Sequence, residues 1–147
     1  MVVRLAGEKA MAVDVDQGTV ALGADTTVVL DGRILGKPEN EADAADMLLS
    51  IAGRTHLVIT GWALALDGTI VEDGFDTALV SMHPVTRDEA EAYARSGEPL
   101  DKAGGYALQG EGARFVSGVA GSRSNVIGLP LQPIVAALGR AGVEPAR

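Results

Sequence analysis

Asp25 closes the apolar run Val20-Ala21-Leu22-Gly23-Ala24 and is followed by Thr26-Thr27. Burying an unpaired carboxylate costs several kcal/mol, so an acid after such a run is expected at a strand's end. Open α/β sheets take ligands beyond the carboxyl ends of their strands, where an acid can orient a water molecule or hold a cation. Capping a turn or helix is the competing role, and the residues around Asp25 are compatible with both. Lys37, in Gly36-Lys37-Pro38, and Lys102, in Asp101-Lys102-Ala103-Gly104-Gly105-Tyr106, are cations on loops. The small residues after Lys102 would let backbone approach a ligand closely. Gln109, between Leu108 and Gly110, could read a base edge or an amide. Each of these three could equally be a solvated surface residue.

Other chemistries are poorly supplied. With no cysteine, thiol catalysis, disulfides and Cys-based zinc sites are excluded. His56 and His83 have no acidic partner at ligand spacing, which favours core or surface roles, and Trp62 reads as a core or interface anchor. Asp14-Val15-Asp16-Gln17-Gly18-Thr19 resembles a haloacid-dehalogenase nucleophile loop, but Gln17 breaks the spacing and no Gly-Asp-x-x-x-Asp follows. It is expected to be a polar turn. Gly110-Glu111-Gly112 lacks P-loop spacing, and no Gly-x-Ser-x-Gly elbow is present. A net charge of −8 opposes a nucleic-acid polymer as partner, while leaving room for a small phosphorylated ligand held by a few local cations or a divalent ion. No window is apolar enough to span a membrane and no signal-peptide pattern opens the chain, so a cytoplasmic address is expected.

The elements that must position these residues follow from pattern. The 147 residues fit one domain, and with 3% aromatics its core must be built from Ala, Val, Leu and Ile. Arg4 to Val13 reads as the end of a helix and Thr19 to Leu30 as a buried strand. Asp31-Gly32 and Asp67-Gly68 are type I′ turn signals, joining Thr27–Leu30 to Arg33–Leu35 and Thr55–Leu66 to Thr69–Met82. Asn40 to Ala52 is a helix, and Thr86-Arg87-Asp88-Glu89 is a capping box opening a second helix that runs to Ser96. Glu98 to Gly112 is irregular, Arg114 to Val119 is a short strand, and Leu131 to Leu138 is a closing amphipathic helix. The expected architecture is a layered α/β/α domain with a mixed, twisted sheet.

Gly23-Ala24-Asp25-Thr26-Thr27-Val28-Val29, Leu35-Gly36-Lys37-Pro38, Gly53-Arg54-Thr55-His56 and Thr60-Gly61 occur in that order. Gly97-Glu98-Pro99-Leu100-Asp101-Lys102-Ala103-Gly104-Gly105-Tyr106, Leu108-Gln109-Gly110 and Ser124-Asn125-Val126-Ile127-Gly128-Leu129-Pro130-Leu131 follow. The ordered set resembles the Maf family over nearly the whole chain. The resemblance implies a Maf/inosine-triphosphatase-like fold, usually a homodimer, and a nucleoside triphosphate pyrophosphatase that cleaves the α–β phosphoanhydride with Mg²⁺ or Mn²⁺. It implies that Asp25 accepts the proton of the attacking water and touches the metal. Lys9, Lys37 and Lys102 would neutralise the triphosphate, and Thr26 and Gln109 would govern base choice. The Asp-Thr and Leu-Gln-Gly forms look like the branch acting on dTTP and UTP. Two departures stand out. The family's opening strand and Ser-x-Ser-Pro-Arg-Arg loop have no counterpart, so the chain reads as N-terminally short. Arg123 stands where an aromatic is frequent. A catalytically silent interaction module retaining the fold is the alternative.

Overall fold

Two tight turns set the sheet. In the computed structural model, which describes residues 1–143, β1 (Val20–Leu30) reverses into β2 (Arg33–Leu35), and β3 (Thr55–Leu66) into β4 (Thr69–Met82). Asp31 and Gly32 adopt φ of 50° and 76°, Asp67 and Gly68 φ of 49° and 78°. These left-handed pairs match the twist of the strands they join. With β5 (Val116–Gly121) the sheet order is β2-β1-β3-β4-β5. The α/β class expected from sequence holds, but every pairing is antiparallel where a mixed sheet was expected. The reason is the helical crossover α2 (Glu41–Ile51), which carries the chain from β2 past β1 to its far side. Strands β2 and β3 both run against β1, so the two that share a direction are never neighbours.

Strand alternation gives the sheet two unlike faces. Helix α1 (Val2–Ala12) lies on one, against β1, β3 and β4. The core there is alanine: Ala6 and Ala10 of the helix over Ala21, Ala63 and Ala65 of the strands. Two glycines bring the helix closer still. A Cβ at Gly23 would stand 2.1 Å from the Ala6 carbonyl oxygen, and one at Gly61 would stand 2.4 Å from the Val2 carbonyl carbon. The other face carries the large side chains. Val28, Val58 and Val80 pack with Leu48 and Ile51 of α2 and with Tyr93 of α3 (Arg87–Arg95). Trp62 and Leu64 pack under Ile134 and Ala137 of a further helix, Leu131–Arg140.

Local signals fix several boundaries. Asn40 caps α2 through Asp43 N at 2.8 Å, and Thr86 and Glu89 form the expected reciprocal box at the start of α3. Each such cap contributes about 1 kcal/mol. The irregular stretch folds as 3₁₀ turns over Glu98–Asp101, Ala103–Gly105 and Glu111–Phe115, so β5 begins two residues later than its expected start at Arg114. A short helix not anticipated from sequence, α4 (Arg123–Ile127), follows β5 and is capped by Ser122; the closing helix is therefore α5. The Asp14–Gly18 segment is an exposed turn, tied by Gly18 N donating to Asp67 Oδ1 at 2.9 Å. No helix among the described residues is long and apolar enough to cross a membrane.

Candidate active site

The 3₁₀ turns fold back over the large-residue face and leave a cavity of about 500 Å³ between themselves, α4 and the sheet. That lies within the roughly 300–1,000 Å³ of small-molecule sites. Its floor is Thr26, Val28 and Val58, its wall Tyr106, Ala107 and Leu108, and its polar rim Lys102, Gln109 and Glu98. Three of the residues singled out from sequence, Thr26, Lys102 and Gln109, therefore meet in one place. Thr26 Oγ1 lies 2.9 Å from Thr60 Oγ1 on β3, and Thr60 donates to the Asn125 carbonyl at 2.8 Å.

Lys37 does not line the cavity; it lies on the neighbouring loop. Its loop is pinned by Gly104 N donating to the Gly36 carbonyl at 3.1 Å. Lys102 Nζ donates to Asp101 Oδ1 at 3.0 Å, and Lys102, with a smaller contribution from Lys37, holds the Asp101 carboxyl below its ordinary range. Both lysines are exposed, and the Asp101 and Glu98 carboxylates share this edge with them.

Asp25 does not line the cavity. It lies mid-strand, opposite Gly61 across the β1–β3 ladder, rather than at a strand end. Consecutive strand residues point to opposite faces, so Asp25 looks toward α1 while Thr26 looks into the cavity. Two features make a mid-strand acid tolerable. Its side chain keeps 19% exposure, and Lys9, in the last turn of α1, donates to Oδ1 at 2.9 Å and to the Ala24 carbonyl at 3.2 Å. Lys9 is 57% exposed, and ion pairs this open contribute about 0–1 kcal/mol, so the contact holds a cation beside the acid more than it holds the fold. Among the described residues, no group of three or more His, Cys, Asp or Glu converges to hold a metal ion.

Glu98 was quoted in sequence only as part of a longer motif, yet it organises the loop that carries Gln109. Its carboxylate accepts from Glu111 N at 3.1 Å, from Gly112 N at 2.9 Å and from the Tyr93 hydroxyl. Burial, with Glu98 beside it, raises the Tyr93 phenol above its ordinary range, so it stays a donor. Glu98→Ala strands these donors and is expected to cost about 2 kcal/mol. Urea unfolding reads the loss, and amide exchange should quicken at Glu111 and Gly112. Unchanged exchange there would mean that the loop holds itself.

His56 is a core residue, in line with one of its two expected roles. It is buried under the cavity wall, Nε2 at 2.7 Å from the Tyr106 hydroxyl, with Nδ1 unpartnered. Burial pushes its pKa from 6.5 down to about 4. The unfolded chain takes up a proton below pH 6.5 while the folded chain refuses it until about 4. Stability is thus full above pH 6.5 and falls by about 3 kcal/mol as pH drops toward 4. The urea midpoint measured across this range should decline accordingly, and His56→Gln should flatten the decline. An equally steep limb in the variant would assign it to other groups.

A cavity of small-molecule size rimmed by Lys102, Gln109 and Glu98, and an acid–lysine pair one residue along the same strand, define a small-molecule site on an α/β scaffold. A family model described as Maf-like protein matches residues 1–141, and the chain belongs to the Maf family. It is 50% identical over 141 residues to the dTTP/UTP pyrophosphatase of Myxococcus xanthus, covering 95% of this chain and 71% of that one. The protein of the same name from Anaeromyxobacter sp. is 47% identical over 145 residues, covering 96% and 69%. That from Symbiobacterium thermophilum is 43% identical over 144 residues, covering 97% and 73%.

Proposed function

We propose that this protein hydrolyses nucleoside triphosphates to the monophosphate and pyrophosphate, with dTTP and UTP preferred. One juxtaposition carries the reading: a cavity holding Thr26, Lys102 and Gln109 beside Asp25 and Lys9, in a chain half identical to a dTTP/UTP pyrophosphatase. Attack of water on the α-phosphorus forms one P–O bond and breaks the α–β bridge, so pyrophosphate leaves. Little covalent help is required; positioning and charge neutralisation supply most of the acceleration. Asp25 orients the water and receives its proton. Lys9, already at the carboxylate, Lys102 at the rim and Lys37 on the neighbouring loop neutralise phosphate oxygens. Thr26 and Gln109 meet the base.

Asp25 and Thr26 face opposite sides of β1, so one nucleotide engaging both must cross the strand at that step. Among the described residues β2 covers only Val28–Leu30, which leaves the strand's outer edge open at Asp25 and Thr26. A division of labour follows: cavity residues set base choice, residues on the α1 face set the chemical step.

We favour a divalent ion such as Mg²⁺ or Mn²⁺ as the cofactor. Magnesium is ordinarily held by one or two carboxylates together with substrate phosphates and water. Asp25 would be its protein ligand, and a bound ion would supply positive charge to the phosphate oxygens. A homodimer is the assembly we favour, supported by the exposed apolar strip of β4, where Phe75 and Leu79 are 64% and 49% accessible; light scattering tests it. The functional reading is tested by pyrophosphate release from dTTP, UTP, CTP, ATP and GTP with Mg²⁺ and with EDTA. Release from dTTP and UTP, lost in EDTA, is expected; no release from any triphosphate overturns it.

A further inference from the structure

Thr60 has a single hydroxyl hydrogen, and the structure accounts for it. Its Oγ1 donates at 2.8 Å to the Asn125 main-chain carbonyl, an atom that only accepts. The same Oγ1 lies 2.9 Å from Thr26 Oγ1, so within that pair it is left to accept, and Thr26 must donate. The hydrogen of Thr26 then points at Thr60, and the lone pairs that remain are what Thr26 presents to the cavity. The reverse order makes one hydrogen bond fewer. It takes Thr60 off the carbonyl, whose other lone pair already accepts from Gly128 N at 3.0 Å, and sends the Thr26 hydrogen into the cavity. Thr60 and Asn125 are fully buried, and the Asn125 amide is anchored by Nδ2 donating to the Val58 carbonyl at 3.2 Å.

We propose that Thr60 is a positioning residue that makes the Thr26 hydroxyl an acceptor toward the ligand, so that the cavity selects bases with a ring N–H donor. Uracil and thymine offer the N3–H of their imide. Cytosine, of nearly the same shape, offers a bare N3 lone pair, which would face the lone pairs of Thr26. Adenine N1 is likewise an acceptor. Guanine shares a ring N–H and is separated from uracil by size, not by this device. Gln109, on the same cavity, carries both an amide N–H₂ and a carbonyl and can meet an exocyclic oxygen of the base. The proposal rests on the nucleotide-binding reading above but not on turnover.

The test is equilibrium binding of UMP and CMP by calorimetry to the wild type, Thr60→Val and Thr60→Ser. The valine variant keeps the shape and frees the Thr26 hydroxyl to donate. The preference for UMP over CMP should fall about tenfold in Thr60→Val, the weight of one hydrogen bond, and return in Thr60→Ser. An unchanged preference in folded Thr60→Val, or absence of a preference in the wild type, overturns the proposal. Should Thr60→Val fail to fold, the wild type with N3-methyl-UMP decides: binding at least tenfold weaker than UMP is expected, and equal binding overturns it. Selective binding without hydrolysis would contradict the pyrophosphatase reading while leaving this inference standing.

Discussion

Asp25→Asn is expected to lower pyrophosphate release from dTTP by about 10²–10⁴-fold, the range for removing a group that handles the nucleophile's proton. Asparagine has the same shape and its amide oxygen can still accept from Lys9, whose contact with Asp25 is 2.9 Å and largely exposed. The fold should therefore be unaffected, with a thermal midpoint close to wild type. The KM for dTTP should also hold within a few-fold, because Thr26, Lys102 and Gln109 lie on the cavity side of β1. Steady-state kinetics separate the two parameters. Loss confined to kcat is the expected pattern; activity within about tenfold of wild type would remove Asp25 from the chemical step.

Gly23→Ala is expected to be strongly destabilising for the addition of a single methyl group. The added Cβ would stand 2.1 Å from the Ala6 carbonyl oxygen and 2.6 Å from Ala10 N, both backbone atoms of α1 that cannot rotate aside. The helix would have to lift from the sheet, opening the alanine contacts of Ala6 and Ala10. Overpacking of this kind costs about 1–3 kcal/mol and more where backbone is involved, against a total stability of about 5–15 kcal/mol. Because Lys9 rides on the same helix, activity should fall with stability even below the melting range. Gly118→Ala is the control. A Cβ there meets nothing within 4 Å, and its cost should stay within about 0.5 kcal/mol. Calorimetric or urea unfolding of the pair should separate them clearly, and equal midpoints would contradict the close seating of α1.

What could be read from the sequence was what is decided locally. Asp31-Gly32 and Asp67-Gly68 fix turn type within two residues, and Thr86 and Glu89 close their box within four, so both hairpins and the start of α3 fall where expected. Strand direction was not local: it depends on which side of β1 the crossover returns, which no window of residues states. Asp25 was expected at a strand end because burial of a lone charge is costly. The strand continues through it because Lys9, sixteen residues earlier, supplies the counter-charge and Gly61 opposite adds no side chain. Thr60 and Glu98 were quoted only within longer motifs and given no role of their own, for the same reason. Their partners, Asn125 and the Glu111–Gly112 backbone, are distant in the chain, and neither a threonine in an apolar strand nor a glutamate before proline announces such contacts. Helix α4, at five residues, is too short for periodicity to reveal. The candidate cations, amide and acid were legible as residue types; their division between two faces of one strand was not.

Which phosphoanhydride is cut tests the central claim most directly. With dTTP and Mg²⁺, separation of products by ion exchange should yield dTMP and pyrophosphate in equal amounts, with no dTDP at any time. Appearance of dTDP and orthophosphate would mean cleavage at the β–γ bridge, and would contradict a site in which Asp25 and its neighbouring lysines direct water to the α-phosphorus.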